Sequence, residues 1–305
     1  DRKDNPSLGK GYEAMLSQLG GAQYNALKLG LWEMPRMADQ LVDPDWWDRA
    51  VAAKDLAPKP PGKEKKAMGA DFANRGGDSC VFAFGSGRKL TGMVDFQTPH
   101  SQEFSWRYFK QVEELGGAAN VLCAMDSNGP GTGAADLLET GGVWIDGGNE
   151  RKFGAISGIE RCTHKDRRFE LQFRGAIKFP NFRSQMYWKL REDLRNGRLD
   201  LSWLKDADNM WGGYERLAEE VLAHTFRVPN GQLEVISKEQ MRIPARLGRS
   251  PDLCDALAIW NWIREFAPSD AAADQWEEWE SIDPYMKGFR KEMQPEASKN
   301  DPCIA

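Results

Sequence analysis

Three acidic sites in this sequence break the rules of their surroundings. Asp71 lies inside Ala67-Met-Gly-Ala-Asp-Phe-Ala73, a run otherwise made of apolar and small residues. Burying a lone carboxylate there is costly unless it is paired or binds a cation. Asp126 closes the apolar run Val121-Leu-Cys-Ala-Met125 and precedes the glycine-rich Ser127-Asn-Gly-Pro-Gly-Thr-Gly133. Strand ends in α/β sheets are where ligands are usually met. Asp252 and Asp255 stand three apart in Ser250-Pro-Asp-Leu-Cys-Asp255, which places them on one face of a helix. Each has a plainer reading. Asp71 fits a turn beyond a shorter strand, Asp126 fits a side-chain cap, and Asp252 fits the first helical turn, where any acid is favoured by the macrodipole. Asp255 lies deeper and is harder to explain that way.

Together, an acid on a first strand, an acid ending a later strand and an acid on a late helix can converge on one point. Carboxylates so gathered repel unless divalent cations sit between them, and oxygen donors suit Mg²⁺ or Mn²⁺. Two such ions, about 3.5–4 Å apart, activate water and stabilise the leaving oxygen in phosphodiester cleavage. The three histidines, at 100, 164 and 224, are too scattered to suggest a competing metal set.

The 305-residue chain is 41 % apolar, enough for a substantial core. Its net charge of −5 argues against tight, constitutive nucleic-acid binding. It leaves room for an enzyme whose ions supply positive charge locally. Five cysteines (80, 123, 162, 254 and 303) form no C-x-x-C pair, so neither zinc nor a disulfide framework is indicated, and a reducing cytoplasm fits best. No signal peptide or apolar run of transmembrane length is present.

The elements needed to position the acids follow from patterning. Residues 1–57 read as amphipathic helix, and the proline-rich, charged stretch 58–66 reads as a linker. A three-stranded antiparallel meander is predicted over 67–73, 80–84 and 89–96, with turns at Asn74–Asp78 and Gly85–Gly87. Helices are predicted over 101–115, 134–139, 184–196 and 214–223, and strands at 120–125, 143–145 and 232–236. Ser237 caps a brief helix, and Ser250 caps one running to about 265. Residues 147–180 read as a basic, irregular excursion, and 266–305 as a peripheral tail. Helix–strand alternation after a meander implies an α/β domain with a mixed sheet flanked by helices.

Four stretches, in order over about 67–265, resemble the C-terminal nuclease domain of tailed-phage large terminase subunits. They are Gly69-Ala-Asp-Phe-Ala-Asn-Arg-Gly-Gly-Asp-Ser79, Met125-Asp-Ser-Asn-Gly-Pro-Gly-Thr-Gly133, Asn181-Phe-Arg-Ser-Gln-Met-Tyr-Trp-Lys-Leu-Arg191 and Arg246-Leu-Gly-Arg-Ser-Pro-Asp-Leu-Cys-Asp-Ala-Leu-Ala258. The resemblance implies an RNase H-like fold and a two-metal DNA endonuclease that cuts concatemeric double-stranded DNA in the host cytoplasm. It places the catalytic acids at Asp71, Asp126 and Asp252, with Asp255 as a fourth. Asp71 would bridge two Mg²⁺ or Mn²⁺ ions, with Asp126 and Asp252 anchoring one each. The motif favours Asp252 as the third acid where helix position favours Asp255. Asp78, in a glycine turn, reads first as structural.

Leu29-Gly-Leu-Trp32 is similar to the end of a terminase ATPase domain, but no phosphate-binding loop occurs in the chain. The resemblance therefore implies a motor upstream of residue 1, with a small subunit and a portal as partners. The domain would be monomeric alone and oligomeric in the motor. Arg151, Lys152, Lys165, Arg167, Arg168 and Arg183 are candidates for holding the DNA backbone. A junction resolvase or transposase-like nuclease on the same fold, and a non-cutting assembly module of the motor, are the competing readings.

Overall fold

The computed structural model describes residues 39–58, 64–73, 78–129, 131–162, 178–206 and 211–265. Helix α1 (Pro44–Val51) begins at Asp43, whose carboxylate accepts the Asp45 N–H. Strands β1 (Lys66–Asp71), β2 (Cys80–Ser86) and β3 (Lys89–Phe96) form the predicted antiparallel meander. Helix α2 (Ser101–Glu114) then carries the chain across the sheet, so that β4 (Val121–Asp126) lies parallel to β1. Helix α3 (Gly131–Thr140) follows.

β5 (Gly142–Asp146) and β6 (Asn149–Phe153) form a separate hairpin, and β7 (Glu160–Cys162) is the strand that joins the sheet, parallel to β4. The sequence-predicted strand at 143–145 is therefore not part of the central sheet. Val143 and Ile145 are 41 % and 59 % exposed, which a strand between two covered faces could not be. Between them, Trp144 turns inward against Trp106 of α2, with ring centroids 5.2 Å apart.

The remaining elements are α4 (Phe182–Arg195), α5 (Tyr214–Leu222), the short pair β8 (Phe226–Arg227) and β9 (Glu234–Val235), α6 (Lys238–Met241) and α7 (Asp252–Ile263). Ser237 caps α6 in a full capping box with Gln240, as its sequence predicts. Ser250 does not cap α7: Pro251 occupies the cap position, and no side chain of that residue can accept a hydrogen bond.

The central sheet has the order β3-β2-β1-β4-β7. One face is covered by α2 and α3 over a core that includes Met68, Phe82, Phe104, Tyr108 and Met125. The other is covered by α4 and α7 over a core that includes Tyr187, Leu190, Leu257 and Trp260. Every residue of α7 is buried, as suits a helix that is apolar nearly all round after its acidic first turn. Its contact with β1 depends on Gly69, where an added Cβ would stand 2.2 Å from the Trp260 nitrogen. Only a residue without a side chain lets helix and strand backbones approach this closely.

Residues 39–57, which the sequence assigns to a separate helical tail, pack into this second core. Leu41, Val42, Trp47, Ala50 and Val51 belong to it, and Leu41 N–H donates to the His224 carbonyl at 2.8 Å. Residues 1–38, 59–63 and 266–305 of the predicted tail, linker and C-terminal segment lie outside the described residues. Cys80, Cys123, Cys162 and Cys254 are buried free thiols. No helix among the described residues is long and apolar enough to cross a membrane.

Candidate active site

The alternation of side chains along a strand decides where the first two acids point. On β1, Met68 and Ala70 enter the α2 core, so Ala67, Gly69 and Asp71 face α7. On β4, Val121, Cys123 and Met125 enter the α2 core, so Ala124 and Asp126 face α7 as well. The parallel register pairs Ala70 with Met125, which sets Asp71 beside Asp126 at the carboxyl ends of adjacent strands. β1 is also where pairing changes from antiparallel to parallel, the kind of position at which open sheets bind ligands. Asp252 and Asp255 come to the same place from the first turn of α7.

All four carboxylates are buried, none more than 7 % exposed. At their centre is a residue not singled out in the sequence, Lys238, the first residue of α6. Its ammonium donates to both Asp71 oxygens, at 3.2 and 2.9 Å. It lies 3.0 Å from Asp255 Oδ2 and 3.9 Å from Asp252 Oδ1. The other oxygens are held from outside. Asp252 Oδ2 accepts the Ser79 N–H at 2.8 Å. Asp255 Oδ1 accepts the Tyr187 hydroxyl at 2.6 Å and faces Arg183 Nε at 3.3 Å. Asp126 Oδ1 accepts from the backbone and side-chain nitrogens of Asn128, at 2.9 and 2.7 Å.

Burial pushes the Asp71 carboxyl well above the usual carboxylate range; Lys238 opposes this, while Asp255, Asp126 and Asp252 add to it. Burial raises Asp252 too, against Lys238 and the Ser79 N–H. Burial works against the charge on Lys238, but Asp255, Asp71, Asp126 and Asp252 together outweigh it and hold its pKa well above the usual lysine range. Four carboxyl groups thus share one ammonium, and Asp71 and Asp252 hold a proton more readily than free carboxyls do.

Among the described residues no three His, Cys, Asp or Glu side chains are already arranged as a metal cage; Lys238 holds the position they would share. In donor chemistry the residues nevertheless fit divalent cations. They are all-oxygen, buried and four to one ammonium, and outer partners orient three of the four acids, as groups behind the ligands do at metal sites.

Arg183 does not lie where a DNA-backbone ligand must. It is buried, bonded to the Ile236 carbonyl at 2.5 Å and stacked 4.3 Å over the Tyr187 ring, so its charge is spent on Asp255. Asp78 pairs with Arg242 at the surface and is not one of the gathered acids. Arg151 and Lys152 are exposed on the β5–β6 hairpin, with Arg151 3.2 Å from Asp146 and 5.6 Å over the Trp106 ring. Lys165, Arg167 and Arg168 lie outside the described residues. One signal did mark Lys238: a cation at the first position of a helix opposes the macrodipole and calls for an acidic partner.

No protein-family model and no curated protein matches the sequence. Solved structures do match. The nuclease domain of the large terminase subunit gp2 of bacterial virus Sf6 aligns with a TM-score of 0.52 at 18 % identity, over 72 % of this chain and 97 % of that one. A lysine-to-alanine mutant of that domain with manganese and beta-thujaplicinol aligns with the same TM-score, identity and coverage. The same kind of mutant with calcium aligns at 0.51 and 17 %, over 72 % of this chain and 98 % of that one. The chain has the fold of a phage large-terminase nuclease domain. In that RNase H-like frame the mixed sheet, the meander and the helix packed across β1 and β4 are the parts that gather the four acids.

Proposed function

We propose that this chain is the divalent-metal-dependent DNA endonuclease of a phage packaging terminase. The observation that carries the reading is the convergence of Asp71, Asp126, Asp252 and Asp255 from two strand ends and a helix on one buried point. The terminase-nuclease fold, and the manganese and calcium named with the Sf6 domain, support it.

Asp71, Asp126, Asp252 and Asp255 would hold two Mg²⁺ or Mn²⁺ ions, which supply an activated water and a counter-charge for the leaving oxygen. The chain's own residues set the stage for that chemistry. Asp71 directs both oxygens at the centre, where Lys238 meets them, and would hold a cation there. Ser79, Tyr187 with Arg183, and Asn128 each hold one oxygen of a neighbouring acid and so orient its carboxylate. Asp252 faces neutral groups, the Ser79 N–H and the Ser250 side chain, with Lys238 3.9 Å away. Asp255 is tied by an arginine and a tyrosine, so it serves as much to anchor the site as to bind. Lys238 keeps the carboxylates together until it moves aside on its flexible stem.

The substrate is concatemeric double-stranded DNA, and the small subunit and portal are the partners in the packaging motor. Arg151 and Lys152, with Lys165, Arg167 and Arg168, are the residues proposed to meet the DNA backbone. The net charge of −5 keeps general DNA affinity low.

The test is cleavage of supercoiled plasmid with Mn²⁺ by the wild type, Asp71→Ala and Asp126→Ala. Nicking and linearisation by the wild type, lost in both variants, is the expected result. An intact plasmid, or equal cutting by all three, refutes it. Strong preference for a four-way junction over linear duplex would make the protein a resolvase instead.

A further inference from the structure

The first turn of α7 carries two of the four acids, yet its cap position is filled by Pro251, which offers no side-chain acceptor. An uncapped helix start leaves backbone N–H groups without partners. Here one of them, Cys254 N–H, is taken by Glu220 Oε2 at 3.0 Å, from α5. Glu220 is fully buried and is not one of the four gathered acids. Its other oxygen lies 3.1 Å from Arg216 Nε and 3.6 Å from Arg249 Nε.

We propose that Glu220 is a positioning residue that sets the metal-binding geometry of Asp252 and Asp255 through the backbone of α7. This rests on the nuclease reading of the site above. Three paths run from this one residue to the two acids. The first is the cap on Cys254, between them in sequence. The second goes through Arg216, whose Nη1 reaches Ser79 Oγ at 3.4 Å, while Ser79 N–H holds Asp252 Oδ2. The third starts at the Glu220 carbonyl, 2.6 Å from His224 Nδ1, and continues from His224 Nε2 to Arg183 at 3.2 Å and so to Asp255. Arginine only donates, so His224 Nε2 accepts from Arg183 and Nδ1–H donates to Glu220. α5 therefore fixes both acids of α7 without touching the ligand position.

The experiment compares the wild type, Glu220→Ala, Glu220→Asp and Glu220→Gln by calorimetric Mn²⁺ titration, with thermal unfolding in EDTA as the control for folding. Glu220→Ala and Glu220→Asp, which lose the acceptor or pull it back by one methylene, are expected to weaken Mn²⁺ binding about 10–100-fold. Glu220→Gln keeps an acceptor oxygen for Cys254 but sets its amide nitrogen against Arg216 and Arg249, so it is expected to recover affinity part-way, to between wild type and Glu220→Ala. If Glu220→Ala does not fold, the Asp and Gln variants carry the comparison. Variants that are merely less stable, with Mn²⁺ affinity equal to wild type, overturn the positioning role. A wild type that binds no Mn²⁺ overturns the nuclease reading itself, and this proposal with it.

Discussion

Replacing Lys238 with alanine removes the ammonium at the centre of four buried carboxylates, and the structure gives the size of the effect. The ammonium lies 2.9 Å from Asp71 Oδ2 and 3.0 Å from Asp255 Oδ2, and the side chain is 18 % exposed. One contact at such a distance is worth about 5 kcal/mol at an effective dielectric of about 20. Desolvation of lysine and carboxylate offsets much of that. Removing one partner of a buried pair costs roughly 3–5 kcal/mol. The acids recover part of it by taking up protons, as burial already inclines Asp71 to do. The metal-free protein is therefore expected to lose about 5–15 °C in Tm, at roughly 2–4 °C per kcal/mol for a domain of this size. A divalent cation meets the opposite situation. In the wild type it must displace the ammonium; in Lys238→Ala it need not, so Mn²⁺ binds at least about tenfold more tightly, a gain of about 1.4 kcal/mol. Thermal unfolding in EDTA and across a Mn²⁺ titration reads both effects. The reasoning is refuted if the variant keeps the wild-type Tm in EDTA, or if Mn²⁺ binds it no better than it binds the wild type.

Four further perturbations test other parts of the site. Tyr187→Phe deletes the 2.6 Å hydroxyl bond to Asp255 and should weaken Mn²⁺ binding about tenfold with little loss of fold, read by calorimetry; unchanged affinity would exclude Asp255 from the metal set. Gly69→Ala drives a methyl into the Trp260 backbone and should cost roughly 3 kcal/mol or more, measured by denaturant unfolding, whereas a neutral result would mean α7 and β1 are not in contact. Burial pushes Glu220 from 4.5 up to about 7. The folded chain then holds this proton more tightly than the unfolded chain, so stability present at low pH is lost as pH rises from about 4.5 to 7. Glu220→Gln removes that slope, up to roughly 3 kcal/mol, so its Tm in EDTA should gain on wild type across this window; a gap that does not change with pH contradicts the assignment. The double variant Arg151→Ala, Lys152→Ala should weaken DNA binding and lower the salt slope by about 1–2, and an unchanged slope would remove the hairpin from the DNA path.

Much of the sheet is legible in the sequence because its cues are local. Apolar runs broken by Asn74–Asp78 and Gly85–Gly87 give the meander, and the apolar run 121–125 with its glycine-rich exit gives β4 and its terminal Asp126. The hairpin at 142–153 misleads because three apolar residues in a row, Val143-Trp-Ile145, look like a buried strand. Which of them meets water depends on α2, which lies elsewhere in the sequence. The cap of α7 misleads for the same reason: Ser250 has the right chemistry next door, but the acceptor comes from Glu220, 34 residues away from Cys254.

By itself, the sequence determined that Asp71, Asp126, Asp252 and Asp255 are out of place among apolar neighbours. Burial cost is a property of each residue and its immediate surroundings, so it can be read along the chain. Only the tertiary structure decided what stands between them and what holds them. Lys238 reaches Asp71 across 167 residues, Ser79 reaches Asp252 across 173, and Arg183 reaches Asp255 across 72. Charges and hydrogen bonds act over a few ångströms of space whatever the distance in sequence. Arg183 is therefore a candidate DNA-backbone ligand in the sequence and the buried anchor of an acid in the fold.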